Sequence, residues 1–227
     1  MPAGPIRILA TDYDGTLATH GVVAASTWAA IERWRGSGRR MVLVTGREPV
    51  DLAAICPRLD LFDRVVAENG GWLSHPAGGT GRPLASRPLD RFVEALRERG
   101  VGPISVGRVV IGTWEPHGST IEAVIREFKL PLQVIANKRA LMILPDGVDK
   151  ASGLRAALLE LGEAVEGVVG VGDAENDAPL LAVAAVGVAV ANALPSLQAQ
   201  ADFVTLGERG DGVAELIDAL LDGPLDQ

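Results

Sequence analysis

Apolar positions along this chain come in short continuous runs separated by longer stretches with helical spacing. The runs are Ile6 to Thr11, Met41 to Val44, Arg64 to Ala67, Gly167 to Val171 and Val186 to Val190. Strands buried on both faces read this way, and a parallel sheet covered by helices requires them. Between the runs, Leu154, Ala157, Leu158 and Leu161 recur at i, i+3, i+4 and i+7, as do Val213, Leu216, Ile217 and Leu220. That is the stripe of a helix that buries one face. Repeated strand–helix units predict an α/β fold with a Rossmann-like, doubly wound parallel sheet, whose ligands bind beyond the carboxyl ends of the strands.

The rhythm breaks in the middle of the chain. Glycine and proline between about Ser74 and Pro88 predict a hinge. Leu89, Phe92, Val93 and Leu96 then mark one helix face, and a strand is expected over Arg108 to Trp114. A second helix is expected over Ser119 to Phe128, with Ser119 and Glu122 as a capping box and Ile121, Val124, Ile125 and Phe128 as its apolar stripe. Leu132 to Ala136 and Ala140 to Leu144 read as two strands around the turn Asn137-Lys138-Arg139. The expected organisation is a small α+β domain at 76–147, inserted into an α/β core formed by 1–75 and 148–227.

Composition narrows the class. At 227 residues, 48% hydrophobic and 22% charged, the chain can bury a core and is not a disordered polymer. A net charge of −8 gives no basic footprint for nucleic acid or an anionic membrane. The apolar stretch Ala178 to Ala191 contains Pro179 and Gly187, and it is shorter than the roughly 20 residues that span a bilayer. A helix followed by a buried strand accounts for it better. No secretory pattern follows Met1, so a cytoplasmic protein is expected. Cys56 is the only cysteine, which excludes an intramolecular disulfide and fits a buried structural thiol.

The chemistry gathers at the predicted strand ends. Asp12 and Asp14 close the first run, in Asp12-Tyr13-Asp14-Gly15-Thr16. Two like charges beside a buried strand need a cation or a shared proton to offset their desolvation and repulsion. Thr45-Gly46-Arg47 closes the second run with a hydroxyl and a cation. Lys150 opens the helix over Ala151 to Leu161, where the helix dipole disfavours a positive charge unless an anion faces it. Gly172-Asp173-Ala174-Glu175-Asn176-Asp177 closes the fourth run with three more acids. Hard oxygen donors of this kind suit Mg²⁺, and the motifs hold no histidine that would favour zinc.

In this order and placement, the four motifs resemble those of the haloacid dehalogenase superfamily of phosphatases. Glu68-Asn69-Gly70 and the segment Val188 to Ala193 resemble its Cof-like branch, which carries a cap between the second and third motifs. The resemblance implies a two-step phosphoryl transfer. Asp12 would be the nucleophile and Asp14 the general acid and base. Thr45, Gly46 and Lys150 would hold the phosphoryl oxygens. Mg²⁺ would be held by Asp12, Asp173 and the carbonyl of Asp14, with Asp177 acting directly or through water. Asn176 would orient Lys150 or an acidic neighbour. The insert resembles those of phosphoglycolate, sucrose-phosphate and mannosyl-3-phosphoglycerate phosphatases, which implies a sugar phosphate or a small phospho-acid as substrate. Ala151 stands where many relatives have glycine, and no reactive group is lost by it.

Arg47, Asn69, His117 and Lys138 are further candidates for substrate contact, although a solvated turn also explains Lys138 and a cap turn His117. Glu175 reads as a solvated helix-start acid. Two other functions stand beside hydrolysis: a phosphomannomutase-like phosphotransferase, and a catalytically idle regulatory module of the same fold. The intact set Asp12, Asp14, Thr45, Lys150 and Asp173 counts against the idle module. The oligomeric state is open between monomer and homodimer.

Overall fold

The computed structural model describes residues 5–76 and 79–223. In chain order its first elements are β1 (Ile8–Thr11), α1 (Ala25–Gly36), β2 (Arg40–Val44), α2 (Pro49–Ile55), β3 (Arg64–Ala67), β4 (Trp72–His75) and β5 (Thr80–Pro83). There follow α3 (Asp90–Glu98), β6 (Ser105–Val106), β7 (Ile111–Trp114), α4 (Gly118–Phe128), β8 (Leu132–Asn137) and β9 (Ala140–Pro145). The chain closes with α5 (Lys150–Leu161), β10 (Val168–Gly172), α6 (Ala178–Val183), β11 (Val186–Ala189), α7 (Pro195–Gln198), β12 (Phe203–Val204) and α8 (Arg209–Asp222).

The continuous apolar runs became the centre of an eight-stranded sheet in the order β12-β11-β10-β1-β2-β3-β4-β5. Pairing is parallel from β12 to β3, while β4 pairs antiparallel with both β3 and β5. Every residue of β1, β10 and β11 is buried, as expected for strands with helices on both faces. One face packs with Trp34, Ile31, Val213 and Ile217 from α1 and α8. The other packs with Leu154, Ala157 and Leu158 from α5 and Leu180 from α6. Trp34 also donates its indole N–H to Arg40 O at 2.8 Å, which satisfies the polar end of a fully buried ring. The stretch from Ala178 to Ala191 is α6 followed by β11, and no helix among the described residues is long and apolar enough to cross a membrane.

The register decides where the motifs sit. Thr11 pairs with Leu43 on one side and Val171 on the other, and Leu43 pairs with Val65. Asp12, Thr45, Glu68 and Asp173 therefore all emerge at the same edge of the sheet.

The second sheet is antiparallel, in the order β6-β7-β9-β8, and packs on α3 and α4 through Phe92, Leu96, Ile111, Ile121, Val124 and Ile143. Four details differ from expectation. The Gly/Pro-rich segment is not all hinge: β5 pairs with β4, so the large sheet continues to Pro83 and the expected boundary at 76 falls inside a hairpin. Leu89 is half exposed, because it precedes α3 rather than lying on its buried face. The Ser119/Glu122 capping box does not form. The helix starts one residue earlier at Gly118, and Glu122 faces Arg126 at 3.6 Å. The strand over Arg108 to Trp114 begins only at Ile111, because the preceding amides turn toward Glu68.

Candidate active site

Lys150 is the first residue of α5 and is fully buried. The helix is held at this point by Asp149, which accepts from Ser152 N at 2.8 Å while its own amide donates to Ser152 Oγ at 3.0 Å. Two glycines let α5 approach the sheet. A Cβ on Gly70 would lie 1.9 Å from Asp149 O, and one on Gly153 would lie 2.4 Å from Val66. The Lys150 ammonium then reaches Asp12 Oδ1 at 2.6 Å and Asp177 Oδ1 at 2.5 Å. The dipole penalty for lysine at a helix N-terminus is thus answered by two buried carboxylates.

Asp177 is positioned by backbone. Its second oxygen accepts from the amides of Asp173 and Ala174, both at 3.0 Å. Gly172 makes this possible, since a Cβ there would lie 2.3 Å from Asp177 Cβ. Asp173 accepts from Thr16 Oγ1 at 3.3 Å and sits where Gly15 leaves room, with φ +87° and a would-be Cβ 2.4 Å from Asp173 Oδ2. Asn192 braces the same turn, donating to Gly15 O at 2.9 Å and accepting from Arg209 N at 2.7 Å.

Carboxylate oxygens of Asp12, Asp173 and Asp177 lie within 4.8 Å of one another, all three residues buried. Burial pushes the Asp12 carboxyl up to about 8; Lys150 pulls against this, while Asp177 and Asp173 add to it. Burial also raises the Asp173 carboxyl. It works against the Lys150 ammonium, but Asp12 and Asp177 outweigh it and hold the lysine above its ordinary value. Three buried acids share one buried lysine, with Lys138 reaching Asp173 from the insert, and their donors are hard oxygens. The group fits a divalent cation of the Mg²⁺ type.

Asp14 stands apart from this cluster. Its carboxylate takes a two-pronged contact from Arg47, Nε to Oδ2 at 2.5 Å and Nη2 to Oδ1 at 2.8 Å, and remains partly exposed. Thr45 is buried at the end of β2, and its hydroxyl accepts from Arg47 N at 3.2 Å. Gly46 lies beneath Met142 of the insert, whose Sδ would be 3.3 Å from a Cβ there.

The insert also reaches the fourth motif. At the tip between β8 and β9, Lys138 Nζ lies 2.8 Å from Asp173 Oδ2, and Lys138 N donates to Glu175 Oε2 at 2.9 Å. Glu175, expected to be merely solvated, thus holds the hairpin tip. Among the described residues the Asn176 side chain makes no hydrogen bond to Lys150 or to an acidic neighbour. Its amide donates to Asn69 Oδ1 at 3.0 Å, and Asn69 Nδ2 and Asn176 Oδ1 have no hydrogen-bond partner although buried. His117 stays within the insert, its Nε2 3.0 Å from Gly102 O. Glu68, expected only as part of the Cof-like Glu68-Asn69-Gly70 signature, also lies against the second motif, its backbone N–H donating to Arg47 O at 2.9 Å.

The comparisons with known proteins agree with this arrangement. The family model described as haloacid dehalogenase-like hydrolase matches residues 9–110 and 119–217. The chain is 31% identical to phosphoglycolate phosphatase 2 of Saccharolobus solfataricus, over 98% of this chain and 96% of that protein. It is 32% identical to the phosphoglycolate phosphatase of Natronomonas pharaonis, over 94% of this chain and 97% of that one. Among solved structures, Thermoplasma acidophilum 0175 superposes with a TM-score of 0.83 at 20% identity, covering 96% of this chain and 99% of that one. A subclass IIB sugar phosphatase superposes with a TM-score of 0.78 at 19% identity, covering 93% and 98%. Together with the acids and lysine gathered at one sheet edge, these likenesses show that the chain belongs to the haloacid dehalogenase-like hydrolase family, in its Cof-like branch, and is a phosphatase.

Proposed function

We propose that the protein is a Mg²⁺-dependent phosphomonoesterase that hydrolyses a small phosphorylated acid of the phosphoglycolate type through an aspartyl-phosphate on Asp12. The observation that carries this is the buried contact of Lys150 with both Asp12 and Asp177, beside Asp173. Asp12, Asp173 and the carbonyl of Asp14 would hold Mg²⁺, with Asp177 supporting. When bound, Mg²⁺ supplies positive charge that offsets the carboxylates and the phosphoryl oxygens.

In the first step an Asp12 oxygen attacks phosphorus as the bond to the leaving oxygen breaks, and Asp14 donates a proton to that oxygen. In the second, Asp14 takes a proton from water, whose oxygen attacks phosphorus as the bond to Asp12 breaks. Thr45, the amides of the Gly46 turn and Lys150 would hold the phosphoryl oxygens throughout. Arg47 orients Asp14.

The named relatives support a two-carbon phospho-acid. Lys138 at the hairpin tip is the cation of the insert that would meet a substrate carboxylate, while Arg47 is committed to Asp14. One observation favours a sugar phosphate as the second reading. Gly112 pairs with Met142, so Trp114, two residues along β7, shares the sheet face that Met142 turns toward Gly46, and Trp114 is 54% exposed. An aromatic surface there would suit a sugar ring.

Phosphate release from phosphoglycolate and a hexose phosphate panel with Mg²⁺ tests the proposal. We expect phosphoglycolate among the best substrates and Asp12→Asn to abolish release. Unchanged turnover in that variant would remove Asp12 as nucleophile. Interconversion of sugar phosphates with little free phosphate would favour the mutase, and inactivity on every compound the idle module.

A further inference from the structure

Glu68 is fully buried, yet it has no role in the chemistry above. Among the described residues no lysine or arginine pairs with it. Its carboxylate instead accepts three successive backbone amides of the insert: Arg108 N at 3.0 Å on Oε1, with Val109 N at 2.6 Å and Val110 N at 2.9 Å on Oε2. Consecutive amides turned toward one anion form a preorganised anion cradle. Gly107 completes it, because a Cβ there would lie 2.8 Å from Glu68 Oε2.

The same residue is tied by its backbone to the second motif. Glu68 N donates to Arg47 O and Asn69 N to Thr45 O, both at 2.9 Å. Glu68 and Asn69 both adopt left-handed conformations, φ 51° and 52°, which non-glycine residues keep only where their surroundings impose them. The cradle lies at the hinge. Val109 and Val110 pack in a small cluster with Val148, which leads back into the core, and with Ala85, which leads out of it.

From these contacts we infer that Glu68 is a positioning residue, a latch that fixes the pivot of the insert to the Thr45–Arg47 turn. It thereby sets where Lys138 and Met142 come to rest over the site. A side chain that merely filled space there would not need two acceptor oxygens aimed at three amides. The inference deepens the phosphatase reading and rests on it for its kinetic consequence. Its structural consequence stands alone.

The test uses Glu68→Gln, which keeps the length but brings an NH₂ among three donors, and Glu68→Ala. Amide exchange of the full-length protein is the first readout. Exchange at Arg108, Val109 and Val110 should rise by about tenfold or more while β1 and β10 keep their protection. The second readout compares phosphoglycolate with acetyl phosphate, which lacks a second anionic group for the insert to meet. kcat/KM for phosphoglycolate should fall about 10- to 100-fold, and that for acetyl phosphate several-fold less. Unchanged exchange at the three amides overturns the latch. So does an equal loss on both substrates, which would mark general damage to the core. If the parent protein does not hydrolyse phosphoglycolate, the substrate reading fails, and the exchange result alone decides the latch.

Discussion

Lys150 Nζ lies 2.6 Å from Asp12 Oδ1, with both residues buried. A lysine in such a place offsets the charge of both Asp12 and Asp177, and under the proposed mechanism it would also hold the phosphoryl oxygens. Replacing it with methionine keeps most of the volume and removes the charge. We expect kcat to fall about 100- to 1,000-fold, the range for losing one preorganised electrostatic partner. Stability should fall as well, by about 3 kcal/mol, because Asp12 and Asp177 are left buried without their cation. Steady-state kinetics and denaturant unfolding measure the two effects, and a fully active Lys150→Met protein would refute the first.

Arg47 grips Asp14 through two hydrogen bonds. If Asp14 protonates the leaving oxygen, losing that grip matters most when the leaving group needs a proton. Arg47→Ala should therefore reduce turnover of an alkyl phosphate by about tenfold or more, and of an aryl phosphate by less. A uniform loss across leaving groups would assign Arg47 to substrate binding alone.

If the cluster of Asp12, Asp173 and Asp177 holds a divalent cation, as proposed, that cation should both activate and stabilise the protein. Chelation should stop phosphate release, and added Mg²⁺ should restore it. Because binding to the folded state alone raises stability, Mg²⁺ should also raise Tm in the parent protein. The rise should shrink in Asp173→Asn, which differential scanning calorimetry can follow without any substrate.

Gly70 carries φ +106°, and a Cβ there would overlap Asp149 O at 1.9 Å. Gly70→Ala meets both a backbone that disfavours alanine and a contact that must open. We expect a loss of about 3 kcal/mol. Turnover should fall too, since Asp149 adjoins Lys150. Thermal unfolding and kinetics on the same sample check this, and a neutral substitution would show that α5 has freedom to move away.

Burial pushes the Cys56 thiol above its ordinary value. A free thiol is roughly a quarter ionised at pH 8, and a raised value makes that fraction smaller. Alkylation at pH 8 should thus be slow in the folded protein and fast in denaturant. Rapid labelling of the native state would show that the α2 end opens.

Much of the fold was legible because its strands obey a rule that local sequence can express. Arg64 to Ala67 was expected as a strand and is β3 to the residue. The helix stripe Val213, Leu216, Ile217 and Leu220 is wholly buried on α8. Expectation failed where two local solutions competed. Ser119 and Glu122 had the spacing of a capping box, but the turn after Trp114 starts the helix earlier and exposes Glu122 to Arg126. Glycine and proline after Ser74 signalled a break, yet Thr80–Pro83 still adds an edge strand, where proline is tolerated because no further neighbour needs its N–H.

Within the site, sequence order placed Asp12, Lys150, Asp173 and Asp177 at strand ends or a helix start, and the structure brings these four together. Sequence order could not assign their partners. Asp12 meets Lys150 across 138 positions, Asn176 meets Asn69 across 107, and Glu68 meets Val109 across 41. The sequence by itself determined which chemical groups stand at strand ends, since hydrophobic periodicity and turn residues act over a few positions. Only the tertiary structure decided which charge faces which. That depends on the register of parallel strands and on glycines such as Gly15, Gly70 and Gly172, whose missing side chains let distant segments approach to contact.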